Sequence, residues 1–123
     1  MDPSQLIQEA FTAQKRAKAT YSKYQVGAAL LTNEDHLILG CNIESKAYPT
    51  TLCAERVAIF SALAQGHQNF KALALVTPDG AFPCGSCRQI IYEYAYNIPI
   101  YISNNKNDYV TYTISELLPH PFA

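Results

Sequence analysis

Thr51-Leu52-Cys53-Ala54-Glu55-Arg56, answered about thirty residues later by Pro83-Cys84-Gly85-Ser86-Cys87-Arg88, decides how this chain is read. Each stretch opens a predicted helix, so three thiols and one carboxylate gather at helix N-termini. Unpaired backbone N–H groups and the positive end of the helix dipole favour anions there. The Cys84-x-x-Cys87 spacing sets two sulfurs about one helical turn apart, and Cys53 supplies a third soft ligand from another helix start. Three protein ligands leave one tetrahedral position open, the arrangement of a catalytic rather than a structural zinc ion. Glu55, two residues from Cys53, is close enough to face water at that position without being needed as a ligand. The pattern is that of a hydrolytic zinc centre with a carboxylate proton shuttle.

Four cysteines also admit two disulfides or a thioredoxin-like redox pair. The tight Cys-x-x-Cys beside Arg88, in a chain with enough apolar residues to fold without cross-links, favours the metal. Cys41 follows Gly40 in a predicted hairpin and is read as a buried thiol, since a fourth ligand would close the open position.

The 123 residues suit one domain spanning 1–123. Hydrophobic residues make up 49% and charged ones only 15%, against roughly 25% charged in typical soluble domains. That scarcity predicts surface hidden against other copies of the chain. Nine basic residues stand against ten acidic ones, for a net charge of −1. This balance argues against nucleic acid as a partner, which calls for a basic face. No signal peptide is expected, and no apolar run approaches the ~18 residues of a membrane span. Membrane association is therefore not expected, and a cytoplasmic location is.

Along the chain, apolar residues at three- and four-residue steps predict a first helix over Ser4 to about Ala19. Residues 25–32 and 36–42 form a hairpin of strands about the polar turn Asn33-Glu34-Asp35. Thr50 or Thr51 is positioned to cap a second helix, from near Cys53 to Gln65, which is apolar all round and so expected to be buried all round. A strand over 71–77 is closed by Pro78-Asp79-Gly80, and a third helix over 85–95 turns Cys87, Ile90, Ile91 and Tyr94 inward. Strands over 98–103 and 109–113 are separated by only Asn104 to Asp108. That is too short for a parallel crossover, so they pair antiparallel. A helical turn capped by Thr113 or Ser115 ends at Pro119. The fold class is α/β, with three layers, a mixed five-stranded sheet, helices on both faces and an antiparallel final strand pair.

These motifs carry a resemblance. Cys53-Ala54-Glu55-Arg56 and Pro83-Cys84-Gly85-Ser86-Cys87-Arg88-Gln89 match the zinc signature of the cytidine deaminases. Tyr21-Ser22-Lys23, Gln25 to Leu31, Gly40-Cys41-Asn42-Ile43-Glu44 and Glu116-Leu117-Leu118-Pro119 match the small homotetrameric, nucleoside-acting type over nearly the whole chain. The resemblance implies one Zn²⁺ per chain on Cys53, Cys84 and Cys87. Glu55 would pass a proton from water to N3 of the base and help protonate the departing amino group, giving uridine or 2′-deoxyuridine and ammonia in pyrimidine salvage. It implies substrate contacts from Asn42 and Glu44 to ribose hydroxyls, from Tyr24 (where phenylalanine is common) to the base, and from Ala54. Phe122 is implied as a lid completed by neighbouring chains. Arg56, Arg88 and Gln89 stand behind the metal, where either arginine can offset thiolate charge. A buried Glu44 would repel a phosphate, which favours free nucleosides.

Lys46, in place of a small residue, His120-Pro121 before Phe122, and the short loop Thr77 to Pro83 depart from the pattern and bear on the pocket mouth. A nucleic-acid-editing relative would need a basic surface and a helix between the last two strands. A blasticidin-type deaminase shares Cys53-Ala54-Glu55 and the antiparallel ending but has no call for ribose contacts at Asn42 and Glu44. A structural zinc module would have no use for Glu55.

Overall fold

The computed structural model describes residues 1–105 and 107–123. The elements run α1 (Pro3–Gln14), β1 (Gly27–Thr32), β2 (Leu37–Cys41), α2 (Ala54–Ala64), β3 (Phe70–Val76), α3 (Gly85–Tyr94), β4 (Ile100–Asn105), β5 (Asp108–Tyr112) and α4 (Ile114–Leu117). A 3₁₀ turn, Tyr48–Thr50, precedes α2. The expected turn over 104–108 includes Lys106, which lies outside the described residues. Among those residues, no helix is long and apolar enough to cross a membrane.

The sheet order is β2-β1-β3-β4-β5, with β3 and β4 the one parallel pair. Both β2 and β3 are antiparallel to β1, so β2, β3 and β4 point the same way. The chain therefore crosses over twice in one direction, through α2 from β2 to β3 and through α3 from β3 to β4. Right-handed crossovers that advance in one direction lie on one face of a sheet. Accordingly α2, α3 and α4 pack with Ala28, Leu30, Leu73, Ile100 and Ile102 on one face. Leu6, Ile7 and Ala10 of α1 pack with Ala29, Leu31, Ala74 and Val76 on the other. Every residue of β1 is buried, as a strand covered on both faces must be. The expected five-stranded, three-layer fold is the one observed.

Local details correct the sequence reading. The first helix stops at Gln14 rather than near Ala19, because the chain must turn at Lys18, whose N–H donates to Asn42 O at 2.9 Å, to run beside residues 42–44. Neither Thr50 nor Thr51 caps α2. Cys53 is the N-cap residue, with no side-chain cap bond, while Thr51 Oγ1 accepts from Ser45 N and Thr50 donates to Ala47 O. Tyr94 points outward and is 44% exposed. In the isolated chain α2 is not buried all round, since Phe60 remains 37% exposed. Thr113, not Ser115, caps α4, in a capping box with Glu116.

One glycine fixes where α2 begins. A Cβ on Gly40 would lie 2.3 Å from Ala54 O and 2.7 Å from Ala58 N. Only a residue without a side chain lets β2 approach the first turn of α2 so closely, and that turn carries Cys53 and Glu55.

Candidate active site

Because α2 and α3 follow same-direction strands on one face, their N-termini emerge together at the carboxyl end of the sheet, the usual place for sites in open α/β sheets. Cys53 and Cys84 are the N-cap residues of the two helices, and Cys87 lies in the first turn of α3. The three sulfurs all lie within 4.8 Å of one another. Cys53 Sγ is 3.7 Å from Cys84 Sγ, which is 3.4 Å from Cys87 Sγ. Tetrahedral ligands at the usual Zn–S length of ~2.3 Å stand about 3.8 Å apart, so the donor set fits zinc. Three thiolates this close repel one another, and a divalent cation between them compensates that charge. The Cys53 thiol is pulled down to about 5, chiefly by its hydrogen bond with Cys87 and then by Arg56. The Cys87 thiol is pushed up as the other member of that pair and by burial. All four cysteines are free thiols, and Cys41 stands outside the cluster, half-buried.

Glu55 is the second residue of α2 and only 3% exposed. Among the described residues it is the only buried charged side chain. Burial is the main force raising its carboxyl to about 7, and the charge on Cys53 adds to it. Arg56 donates from Nη2 to Cys53 Sγ at 3.4 Å, while its buried Nε has no partner among the described residues. Arg88 does not reach a sulfur. It donates to Pro83 O and Leu117 O, both at 2.7 Å, bracing the approach to Cys84 against α4.

A pocket of about 380 Å³ lies over this cluster. Cys53, Ala54, Glu55 and Cys84 line its floor side. Ser22, Tyr24, Asn42 and Glu44 line it from the hairpin side, and Thr77, Ala81 and Phe82 from the segment after β3. Asn42 and Glu44 are steadied by the strand-like continuation of β2, where Ile43 bridges Leu52 on one side and Lys18 on the other. Asn42 Oδ1 accepts from Val26 N at 2.9 Å and its Nδ2 donates to Tyr24 O at 2.8 Å. One N–H and one lone pair of the amide remain. Glu44 Oε1 accepts from Tyr21 N (2.9 Å) and Ser22 N (3.0 Å), and Oε2 from the Ser22 hydroxyl. The Ser22 hydroxyl in particular holds this carboxyl below its ordinary range. Contrary to the expectation of burial, Glu44 is half-exposed.

Gln89 does not touch a sulfur. It donates to Phe122 O and accepts from Phe122 N, both at 3.0 Å, fixing the backbone of the C-terminal segment. The Phe122 ring is 85% exposed and does not line its own chain's pocket. A neighbouring hollow of about 480 Å³ shares Ser22, Glu44 and Thr51 and ends at Tyr48, itself 74% exposed. Sequence reasoning missed Thr77, Ala81 and Phe82 as pocket residues and Gly40 as the spacer behind it. The short loop Thr77 to Pro83 was legible as bearing on the pocket mouth, but which of its residues line the pocket was not.

Comparison with known proteins agrees with this geometry. Residues 1–102 match the cytidine and deoxycytidylate deaminase zinc-binding region as a family. The chain is similar to a cytidine deaminase of Sporosarcina psychrophila, at 45% identity across 100% of this chain and 93% of the relative. It is also similar to one of Halalkalibacterium halodurans, at 42% across 100% and 96%. Among solved structures, a cytidine deaminase of Burkholderia pseudomallei superposes with a TM-score of 0.95 at 38% identity, covering 99% of this chain and 100% of that one. The chain therefore belongs to the zinc-binding cytidine and deoxycytidylate deaminase family. It is a zinc-dependent enzyme that removes an amino group by hydrolysis.

Proposed function

We propose that the chain converts free cytidine and 2′-deoxycytidine, with one water, to uridine or 2′-deoxyuridine and ammonia, as a step of pyrimidine salvage. The observation that carries this reading is a buried carboxyl, Glu55, beside three convergent sulfurs on the floor of a pocket of nucleoside size. Zinc held by Cys53, Cys84 and Cys87, when bound, supplies a Lewis acid that makes water nucleophilic near neutral pH. Glu55 then moves the protons: it takes one from the attacking water, delivers it to N3 of the base, and assists the amino group in leaving as ammonia. Arg56, on the Cys53 sulfur, offsets part of the thiolate charge. Asn42 offers its remaining N–H and lone pair, and Glu44 its one remaining lone pair, to sugar hydroxyls, each already oriented by the bonds it makes within the chain. Ala54 and Tyr24 give apolar contact to the base. Three catalytic thiols that must stay reduced suit a cytoplasmic enzyme.

Nucleosides are favoured over nucleotides because Glu44 is ionised. A phosphate dianion about 5 Å from it in water-like surroundings is disfavoured by about 1–2 kcal/mol, or roughly tenfold. Zinc-replete protein is therefore expected to deaminate cytidine and 2′-deoxycytidine with a kcat/KM about tenfold or more above that for cytidine 5′-monophosphate. Loss of cytosine absorbance together with ammonia release measures all three. Equal values for the monophosphate would remove the role given to Glu44, and no turnover of either nucleoside would remove the functional reading.

The working form is a homotetramer in which neighbouring chains cover the pockets. Support comes from exposed aromatic side chains, Phe60 on α2, Tyr48 beside the pocket and Phe122, which closed symmetry can bury without leaving free patches. The unpartnered Nε of Arg56 likewise suits an acceptor from another chain. Phe60→Lys is expected to lower mass and activity together, as followed by light scattering on size-exclusion fractions assayed across a dilution series. A fully active monomer would refute it.

A further inference from the structure

We propose that Asp79 is a positioning residue for the pocket, clasping the 77–83 segment to the hydroxyl of Tyr24 so that the two walls flanking the base are set before substrate arrives. The inference rests on the nucleoside reading of the pocket given above. Tyr24 Oη donates to Asp79 Oδ1 at 2.5 Å. The same oxygen accepts from Thr77 Oγ1 and from Ala81 N, both at 3.3 Å, and Ala81 N also donates to Thr77 Oγ1 at 2.8 Å. Tyr24, Thr77, Ala81 and Phe82 line the pocket, whereas Asp79 is not among its lining residues. The carboxylate thus joins the two walls from behind.

Both ends of the clasp are anchored independently. On one side, Tyr24 N donates to Ser22 Oγ and Tyr24 O accepts from Asn42 Nδ2, which ties the ring's backbone to residues that face the sugar. On the other, Thr77 is 4% exposed and its N–H donates to Ser103 O of β4. Between them Gly80 turns the segment at φ 73°, a conformation open to glycine, so that Ala81 N points back to Asp79. The hydroxyl is what tyrosine adds over phenylalanine at position 24, and the ring alone cannot reach a carboxylate through a hydrogen bond. The Tyr24 bond, first among its partners, holds the Asp79 carboxyl below its ordinary range, so the acceptor stays charged at neutral pH.

A wall that is already ordered spares binding the entropy of ordering it, and that saving appears in KM rather than in the chemical step. Tyr24→Phe and Asp79→Ala are each expected to raise KM for cytidine about fivefold, the size of one such hydrogen bond. Their kcat should stay within about twofold of wild type, with one zinc per chain. The double variant should be no worse than either single one, because both remove the same link. Asp79→Asn, whose amide oxygen can still accept from Tyr24 and Ala81, should restore KM. Unchanged KM in the single variants, multiplying effects in the double, or a fall in kcat in place of a rise in KM would each overturn the clasp. Amide hydrogen exchange at Ala81 gives a readout that does not need turnover. Exchange should speed in Asp79→Ala and stay slow in Asp79→Asn, and unchanged protection in Asp79→Ala would also refute the proposal. An inactive wild type with normal exchange behaviour would instead refute the substrate assignment.

Discussion

Glu55→Gln and Glu55→Ala are expected to retain one zinc per chain and the native fold, yet lose at least 10²–10⁴-fold in kcat, about the range for a positioned general acid–base group. The glutamine keeps the shape and apolar contacts of the side chain but cannot take a proton from water. The metal stays because the three sulfurs converge without help from the carboxylate. Folding should not suffer, since a buried ionisable group without an ion-pair partner costs stability rather than contributing it. Metal analysis and steady-state assays on the same preparation test this. Near-wild-type turnover in zinc-replete protein would end the assignment of Glu55 as proton carrier. Joint loss of metal and activity would turn it into a ligand.

Loss of one thiol is expected to be at least as severe. Cys84→Ala and Cys87→Ala should each fall to background activity and well below one zinc per chain, because two remaining sulfurs hold the ion far more weakly than three. Structural zinc sites carry about 10–16 kcal/mol of binding free energy at pH 7, so losing a third of the donor set is expected to cost several kcal/mol. The two variants should differ in stability. Cys84 is exposed, whereas Cys87, in the first turn of α3, is fully buried and its truncation also leaves a small void. Thermal unfolding with and without a chelator separates the contributions. Chelator should lower the midpoint of the wild type and barely move that of either variant. Full zinc occupancy with unchanged activity in one variant would remove that cysteine from the donor set.

Much of the site was legible because its chemistry is local. Cys-x-x-Cys at a helix start and a third cysteine mark a sulfur donor set by spacing, and the carboxylate two residues beyond that cysteine is the candidate proton carrier. The antiparallel end of the sheet was legible for a similar reason, since no parallel crossover fits between β4 and β5. What misled were features whose partners lie far off in sequence. Arg88 follows Cys87 directly, yet it faces Pro83 and Leu117, because a helix turns each successive side chain through about 100°. Glu44 was expected to be buried, but it follows β2, an edge strand, and stands half in water. Helix 1 is amphipathic past Gln14, and only the demand of Lys18 for a place beside Asn42 and Ile43 cuts it short.

By itself, then, the sequence determined which atoms could do the chemistry: three sulfurs, one carboxyl, and the helix starts that favour their ionised forms. Periodicity also set the order of strands and helices. Only the tertiary structure decided that the two helix starts meet. They meet because β2, β3 and β4 run in one direction and both right-handed crossovers lie on one face, and because Gly40 admits α2 to contact with β2. The tie between Tyr24 and Asp79, fifty-five residues apart, was likewise invisible until the sheet brought the two segments together. Side-chain chemistry is written residue by residue, whereas the separation between distant residues follows from handedness and close packing, which belong to the folded chain as a whole.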